Sequence, residues 1–295
     1  MRILLVSLGS IGRRHLANLR SLEPEAEVCI LRRNVDPALT EKQLTTLDAA
    51  IAFAPDAALI CSPASQHVAV ATALAARGIA LFIEKPLSHD TGGVAELLIL
   101  AREKSAPLMV GYNLRFFAPL RALRDEVLAG RIGRLLHIHT EVGQHLADWR
   151  PGTDYRASVT AQRELGGGAL LELSHEIDYA LWLGGEVESV TAQIGTVGDL
   201  GIGVEDIADL QLRFRNGVLG TIHLDLLQHP PRRLCHLIGT IGTLTLDLLT
   251  AAADRNAMYL EELRHFLDCV RNQHPPEING EDGLRVLEVI AAARR

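Results

Sequence analysis

Hydrophobic positions in the first part of the chain fall into short unbroken runs separated by segments with helical spacing. Residues 2–8 (RILLVSL) form one such run, and Ile11, His15, Leu16, Leu19 and Leu22 then recur at three- and four-residue intervals until Pro24. A second apolar run, 28–31, completes a strand–helix–strand unit of about 30 residues. The pattern repeats with a strand at 57–61, an alanine-rich helix at 66–77 ended by Gly78, and a strand at 79–83. A helix at 91–104 and a strand at 108–110 follow. Unbroken apolar runs alternating with helices predict a parallel sheet covered on both faces, because such strands bury both sides.

Beyond residue 118 the pattern changes. A helix is expected at 119–128, closed by Gly130, and residues 134–142 alternate apolar and polar side chains as a half-covered strand does. Further strands are expected at 189–194, 208–214, 218–226 and 237–246, with Asn216-Gly217 as a hairpin turn in which both positions take positive φ. One continuous helix is expected from about 168 to 183. The fold class is therefore α/β: a doubly wound parallel sheet in residues 1–118, then an α/β domain, 119–295, with a predominantly antiparallel open sheet.

A chain of 295 residues, 48% hydrophobic and 22% charged, suits two such domains. Lys+Arg 29 against Asp+Glu 36 leaves a net charge of −7, which argues against a partner that is nucleic acid or a membrane surface and favours a small molecule. The opening MRILLVSLGSIGRRH lacks a secretory cleavage pattern, and a cytoplasmic location is expected. Cys29, Cys61, Cys235 and Cys269 show neither CxxC spacing nor a nearby histidine at metal-ligand spacing, so they are expected to be reduced core thiols with no metal.

Candidate chemistry sits at strand ends. Ser7-Leu8-Gly9-Ser10-Ile11-Gly12 is a dinucleotide fingerprint with serine in place of the first glycine. Gly9 would let backbone approach a pyrophosphate, Gly12 would allow close helix packing, and free N–H groups would face the anion. A tight turn without ligand is the alternative. After the second strand stand Arg32 and Arg33, where an NAD site commonly offers a carboxylate; a guanidinium pairs with a 2′-phosphate, so NADP is favoured over NAD unless both are surface charges. Cys61-Ser62-Pro63 closes the third apolar run, as a cofactor wall or an ordinary turn. In Glu84-Lys85-Pro86 the proline holds Lys85 extended, and such a lysine can donate to a substrate oxygen while hydride leaves the adjoining carbon. Glu172, His175, Asp178 or Tyr179, and Trp182 would share one helix face, where charge conflicts with simple core packing. His15, His67, His89 and His274 are read as hydrogen-bonded structural histidines.

Taken in order, LGSIGRRH (8–15), CSPASQH (61–67), FIEKPLS (82–88), VGYNLRF (110–116), GRIGRLLHI (130–138) and GGGALLELSHEID (166–178) resemble the glucose-fructose oxidoreductase, inositol dehydrogenase and MocA family over nearly the whole chain. The resemblance implies a Rossmann domain followed by an α/β domain whose open sheet often forms a homo-oligomer interface. It implies that Lys85 lies at the nicotinamide, that His175 transfers a proton, and that Asp178 binds or orients substrate. It extends the cofactor wall to His67 and Glu84. Two departures stand out: Ser7 replaces the usual glycine, and Leu171 occupies the place of a common aspartate, with Glu172 beside it.

Residues 144–156 (QHLADWRPGTDYR) resemble a branch of that family associated with bacterial surface-sugar biosynthesis. Trp149, Arg150, Tyr155 and Arg156 suit a polyhydroxylated or anionic sugar, with Asn113 and Arg115 lining the pocket. The expected activity is NAD(P)-dependent hydride transfer at a hydroxyl or carbonyl carbon of a sugar derivative. The competing class is a non-catalytic sensor binding NADP and a sugar, which would need neither Lys85 nor His175.

Overall fold

The structure, a computed structural model, describes residues 1–295. It resolves into two compact units: residues 1–113 with 256–284, and residues 114–255 with 285–295. The expected second domain, 119–295, thus differs at its C-terminal end, where 256–284 clusters with the N-terminal residues.

In chain order the first unit contains β1 (Arg2–Val6), α1 (Ser10–Leu22), β2 (Glu27–Leu31), β3 (Lys42–Leu44), α2 (Leu47–Ala52), β4 (Ala57–Ile60), α3 (His67–Ala75), β5 (Ala80–Glu84), α4 (Val94–Glu103) and β6 (Leu108–Gly111). Its six strands are all parallel in the order β3-β2-β1-β4-β5-β6. The order reverses between β1 and β4, the switch point beside which open α/β sheets bind ligands. Every residue of β4, β5 and β6 is buried, as the unbroken apolar runs require. The three-residue β3 and the six-residue α2 lack a periodic signal long enough to be read from sequence.

The second unit contains α5 (Ala118–Leu128), β7 (Leu135–Gly143), α6 (Ala169–Glu172), α7 (His175–Gly184), β8 (Val187–Gly195), β9 (Ile207–Phe214), β10 (Leu219–Asp225), β11 (Arg232–Gly239) and β12 (Thr243–Asp247). The sheet order is β12-β11-β7-β10-β9-β8, with β7 and β10 parallel and the remaining pairs antiparallel. Along β9 alternate residues are buried, so one face carries the core while the other is open.

Three local expectations need correction. The segment 237–246 is not one strand: β11 and β12 are joined by Thr240, Ile241 and Gly242. At the Asn216-Gly217 turn only Gly217 has positive φ (85°), which is the longer loop with a single left-handed residue. The helix expected at 168–183 is two, α6 and α7, separated at Leu173 and Ser174, where the Glu176 N–H bonds three residues back to the Leu173 carbonyl at 3.3 Å.

The remaining helices are α8 (Ala257–Asn272) and α9 (Gly280–Ala293). Helix α8 buries Leu263, Phe266, Leu267 and Val270. Phe266 meets Phe82 of β5 edge-on at 5.6 Å, and Asn256 exchanges amide hydrogen bonds with Asn18 of α1 at 2.9 and 3.3 Å. These partners explain why 256–284 joins the first unit. All four cysteines are buried and unpaired. No helix is long and apolar enough to cross a membrane.

Candidate active site

Five predicted segments follow the C-terminal ends of neighbouring parallel strands. In register, Leu31 lies beside Val6, Val6 beside Ile60, Ile60 beside Ile83, and Ile83 beside Val110. Ser7 to Gly12, Arg32-Arg33, Cys61 to Pro63, Lys85 and Asn113 therefore emerge along one edge of one sheet.

At the centre of that edge the chain turns from β1 into α1. Ser7 has φ 72°, the left-handed region that glycine occupies without penalty, so the serine keeps the backbone path of the missing glycine. A side chain on Gly9 would meet nothing within 4 Å, whereas one on Gly12 would stand 2.6 Å from the Ser7 carbonyl oxygen and 3.5 Å from Cys61 Cβ. Gly12 is thus required by packing, and Gly9 leaves open space over the turn. No side chain caps the α1 N-terminus, whose N–H groups carry partial positive charge suited to an anion. After β4, the strand paired with β1, Ser62 Oγ is buried without a hydrogen-bond partner. An exposed glycine, an uncapped helix and an orphaned hydroxyl on one sheet edge fit a dinucleotide, which would complete them. Ser10 and Ile11 supply the first turn of α1, while Cys61 is buried beneath Gly12 with its thiol pushed well above the usual value by burial.

Past β2, Arg32 Nη1 lies 3.4 Å from Asp36 Oδ2, and Arg33 is exposed. Asp36 was not singled out by sequence, because no spacing rule points five residues beyond the strand. Its carboxyl is held below the usual range, first by the Ala38 N–H and then by Arg32.

Glu84 and Lys85 divide the work at the end of β5. Glu84 is buried, with Oε1 2.6 Å from His15 Nε2 and Oε2 accepting from the Lys85 N–H at 3.1 Å. Both oxygens bond to the protein, so this carboxylate positions the Lys85 backbone and ties β5 to α1. His67 is also internal: Nε2 lies 2.7 Å from the Ser62 carbonyl oxygen and Nδ1 3.0 Å from that of Pro86. It braces two strand-end turns, and burial pushes its imidazole below the ordinary value. The Lys85-Pro86 peptide is cis.

In the second unit, Glu172 ends α6 and His175 begins α7; both are half-buried. Asp178 is completely buried and receives two hydrogen bonds from Arg115, Nε at 2.9 Å and Nη2 at 2.6 Å. The two residues expected to touch substrate are thereby held in a fork-to-fork pair. A second buried pair was not foreseen: Glu176 accepts from Arg233 Nε at 2.7 Å and Nη2 at 3.0 Å, and from the Tyr179 hydroxyl at 3.3 Å. Burial raises the Glu176 carboxyl, with Arg233 pulling the other way. Asn113 is buried.

In the loop after β7, the Trp149 indole N–H donates to the Gln144 carbonyl at 3.1 Å, and the Tyr155 hydroxyl donates to the Leu200 carbonyl at 3.0 Å. Both aromatic residues are anchored by their polar ends. Arg150 is exposed, and so is Arg156, whose guanidinium lies over the Tyr155 ring at 4.9 Å.

Comparison with known proteins finds a match for two parts of the chain. Residues 1–112 match the oxidoreductase family with an NAD-binding Rossmann fold, and residues 120–245 match the GFO/IDH/MocA C-terminal domain. A myo-inositol 2-dehydrogenase of Thermotoga maritima is 28% identical over 334 residues, covering 100% of this chain and 96% of its own length. An inositol 2-dehydrogenase of Rhizobium meliloti is 31% identical over 213 residues, covering 69% of this chain and 61% of its own. Among solved structures, the WlbA dehydrogenase from Bordetella pertussis, in complex with NADH and UDP-GlcNAcA, superposes with TM-score 0.88 at 25% identity, covering 100% of this chain and 94% of that one.

Proposed function

The chain belongs to the GFO/IDH/MocA family of NAD-binding oxidoreductases acting on CH–OH groups, and from that premise we propose a sugar-derivative dehydrogenase in which Lys85 and His175 handle the proton. The observation that carries this reading is the shared sheet edge, which places Lys85 on the same rim as the uncapped α1 turn and the orphaned Ser62 hydroxyl. When bound, NAD supplies the hydride acceptor. Ser7 to Gly12 and Ser62 would hold its phosphates and ribose. Lys85 Nζ would donate a hydrogen bond to the substrate hydroxyl oxygen, and His175 would take the hydroxyl proton as the carbon loses hydride. Glu172 would bias the charge of His175. Asp178 is assigned a positioning role through Arg115. Arg150 and Arg156 would pair with an anionic group on the sugar, and Trp149 and Tyr155 would present aromatic faces to its ring. The inositol in the Thermotoga relative's name and the nucleotide sugar bound to WlbA support a polyhydroxylated ring as substrate, and the likeness of residues 144–156 to the surface-sugar branch of the family supports a place in that synthesis.

Lys85→Met tests the reading. Turnover with a panel of inositols, amino sugars and nucleotide sugars should fall by about a hundredfold or more, while the dissociation constant for the cofactor stays within roughly twofold. Unchanged turnover would remove the assigned role. The preference for NADP rests on Arg33, because Arg32 already faces Asp36. Arg33→Ala should weaken NADPH by about tenfold and leave NADH nearly unchanged. Tighter NADH than NADPH binding by the unaltered protein would end the NADP preference.

A further inference from the structure

We propose that His145, Asp148 and His229 form a binding site for a first-row transition-metal ion, with zinc the metal best matched to the donors. Each offers one ligand atom, and the three atoms lie within 4.8 Å of one another. His145 and Asp148 come from the single helical turn that follows β7, with the Asp148 N–H bonded to the His145 carbonyl at 3.0 Å. His229 comes from the loop between β10 and β11.

Two features separate this group from a chance surface cluster. The first is that its two segments are already fixed to each other. The His145 N–H donates to the Gln228 carbonyl at 2.9 Å, and the Leu146 N–H to that of Leu226 at 2.9 Å. Asp225 in turn accepts the Leu227 and Gln228 N–H groups at 2.7 Å each, so the loop carrying His229 is braced just before it. The ligand-bearing backbone needs no ordering when an ion arrives. The second is a missing bond: His145 Nδ1 is buried without a hydrogen-bond partner, while the His145 and His229 rings stack at 4.3 Å. Such a nitrogen is a cost in the metal-free protein.

The distances suit two ligands on one ion as well as they suit an ion pair. Zinc bound at about 2.0–2.2 Å in tetrahedral geometry places its donors about 3.4 Å apart. His229 Nδ1 and Asp148 Oδ2 are 3.2 Å apart, so this pair already has the spacing of two ligands on one ion, with the metal taking the place of the shared proton. The third donor, within 4.8 Å of the others, must close by up to about 1.4 Å, within reach of a side-chain rotation. Two imidazoles and one carboxylate select zinc, nickel or copper over magnesium and calcium, which prefer all-oxygen sites. Three protein ligands leave a fourth position to water. The ion would pin the start of the 144–156 loop to the β10–β11 loop.

Calorimetric titration of the chelator-treated full chain with zinc chloride, without substrate or cofactor, tests this directly. One equivalent should bind with micromolar or tighter affinity and resist excess magnesium. His229→Gln and Asp148→Asn, both at exposed side chains, should each weaken zinc by about tenfold or more. The chain has 12 histidines, so the site is decided by the His145→Gln/His229→Gln double variant, with its fold checked by circular dichroism. Loss of the zinc equivalent in a folded double variant supports the site; no zinc binding by the unaltered protein, or full retention in the double variant, overturns it. Neither outcome depends on the catalytic roles given above.

Discussion

The two units place polar groups by opposite means. In the first, the candidate site consists largely of backbone at the ends of strands buried on both faces: the Ser7 to Gly12 turn, the uncapped α1 and the braced turns around Ser62 and Lys85. In the second, the sheet is open on one face and buried charge is held by charge. Arg115 pairs with Asp178 across 63 residues of chain, and Arg233 with Glu176 across 57. Even the buried acids differ in partner. Glu84 faces an imidazole, which can shed its charge, whereas Asp178 faces a guanidinium, which cannot. A motif of adjacent residues therefore builds one half of the candidate machinery, and long-range pairing builds the other.

The largest test of that contrast is to remove each acid. Asp178→Ala leaves a buried, permanently charged Arg115 and should cost about 3–5 kcal/mol, read from urea unfolding. Glu84→Ala leaves His15, which can remain neutral, and should cost about 1–3 kcal/mol. Replacing Arg115 and Asp178 together with apolar residues of similar volume should recover much of the Asp178 loss. Equal losses for the two alanine variants would show that the identity of the cation is immaterial and would break the comparison.

A smaller effect separates two histidines by the sign of their pH dependence. On the open face of the second sheet, His223 lies between Asp225 at 3.0 Å and Asp209 at 2.7 Å, and these bonds, Asp225 foremost, raise its pKa to about 9. Its folded value exceeds the unfolded value of about 6.5, so its contribution is full below that pH and is lost as pH rises through about 9. Burial alone would raise Asp225, but His223 and two backbone N–H groups hold it below the usual range, so the pair also weakens as pH falls through that lowered value. After allowance for solvent screening, His223→Gln should cost about 1–2 kcal/mol near pH 6 and less by pH 10. In the first unit His67 runs the other way. Burial lowers its value, so it opposes folding as pH falls below about 6.5, and His67→Gln should flatten the acid limb of the stability profile. A His223→Gln deficit that grew with pH would contradict the first assignment.

The same contrast explains what the sequence disclosed. Buried parallel strands are written as unbroken apolar runs, so β1, β2, β4, β5 and β6 could be read directly, and the strand-end motifs came with them. Helix α8 has its own apolar stripe, but chain order assigned it to the second domain; its partners Phe82 and Asn18 lie far upstream. The break between α6 and α7 was hidden because Leu170, Leu171, Leu173 and Ile177 keep a helical apolar rhythm through it. Glu176 and Arg233 show no local signal that they pair, since a salt bridge closed by a sheet register is invisible to a window of 10 or 20 residues.

The finest test lies in the turn where the fingerprint departs from its usual form. Ser7 holds φ 72°, and its N–H bonds to the Leu31 carbonyl at 2.9 Å. A left-handed backbone costs a residue with a Cβ about 1–2 kcal/mol, while glycine costs about 0.5–1 kcal/mol in additional unfolded-state freedom. Ser7→Gly keeps the backbone hydrogen bond and removes the strain, so the net gain should be several tenths to about 1 kcal/mol. For a chain of this size that amounts to a melting-temperature increase of about 1–3 °C. Cofactor affinity should stay within roughly twofold, because Gly9 and the α1 N-terminus are unchanged. If the variant melts lower or loses cofactor, the Ser7 hydroxyl supplies a contact that outweighs its strain, and the first unit's site depends on a side chain where backbone alone has been held responsible.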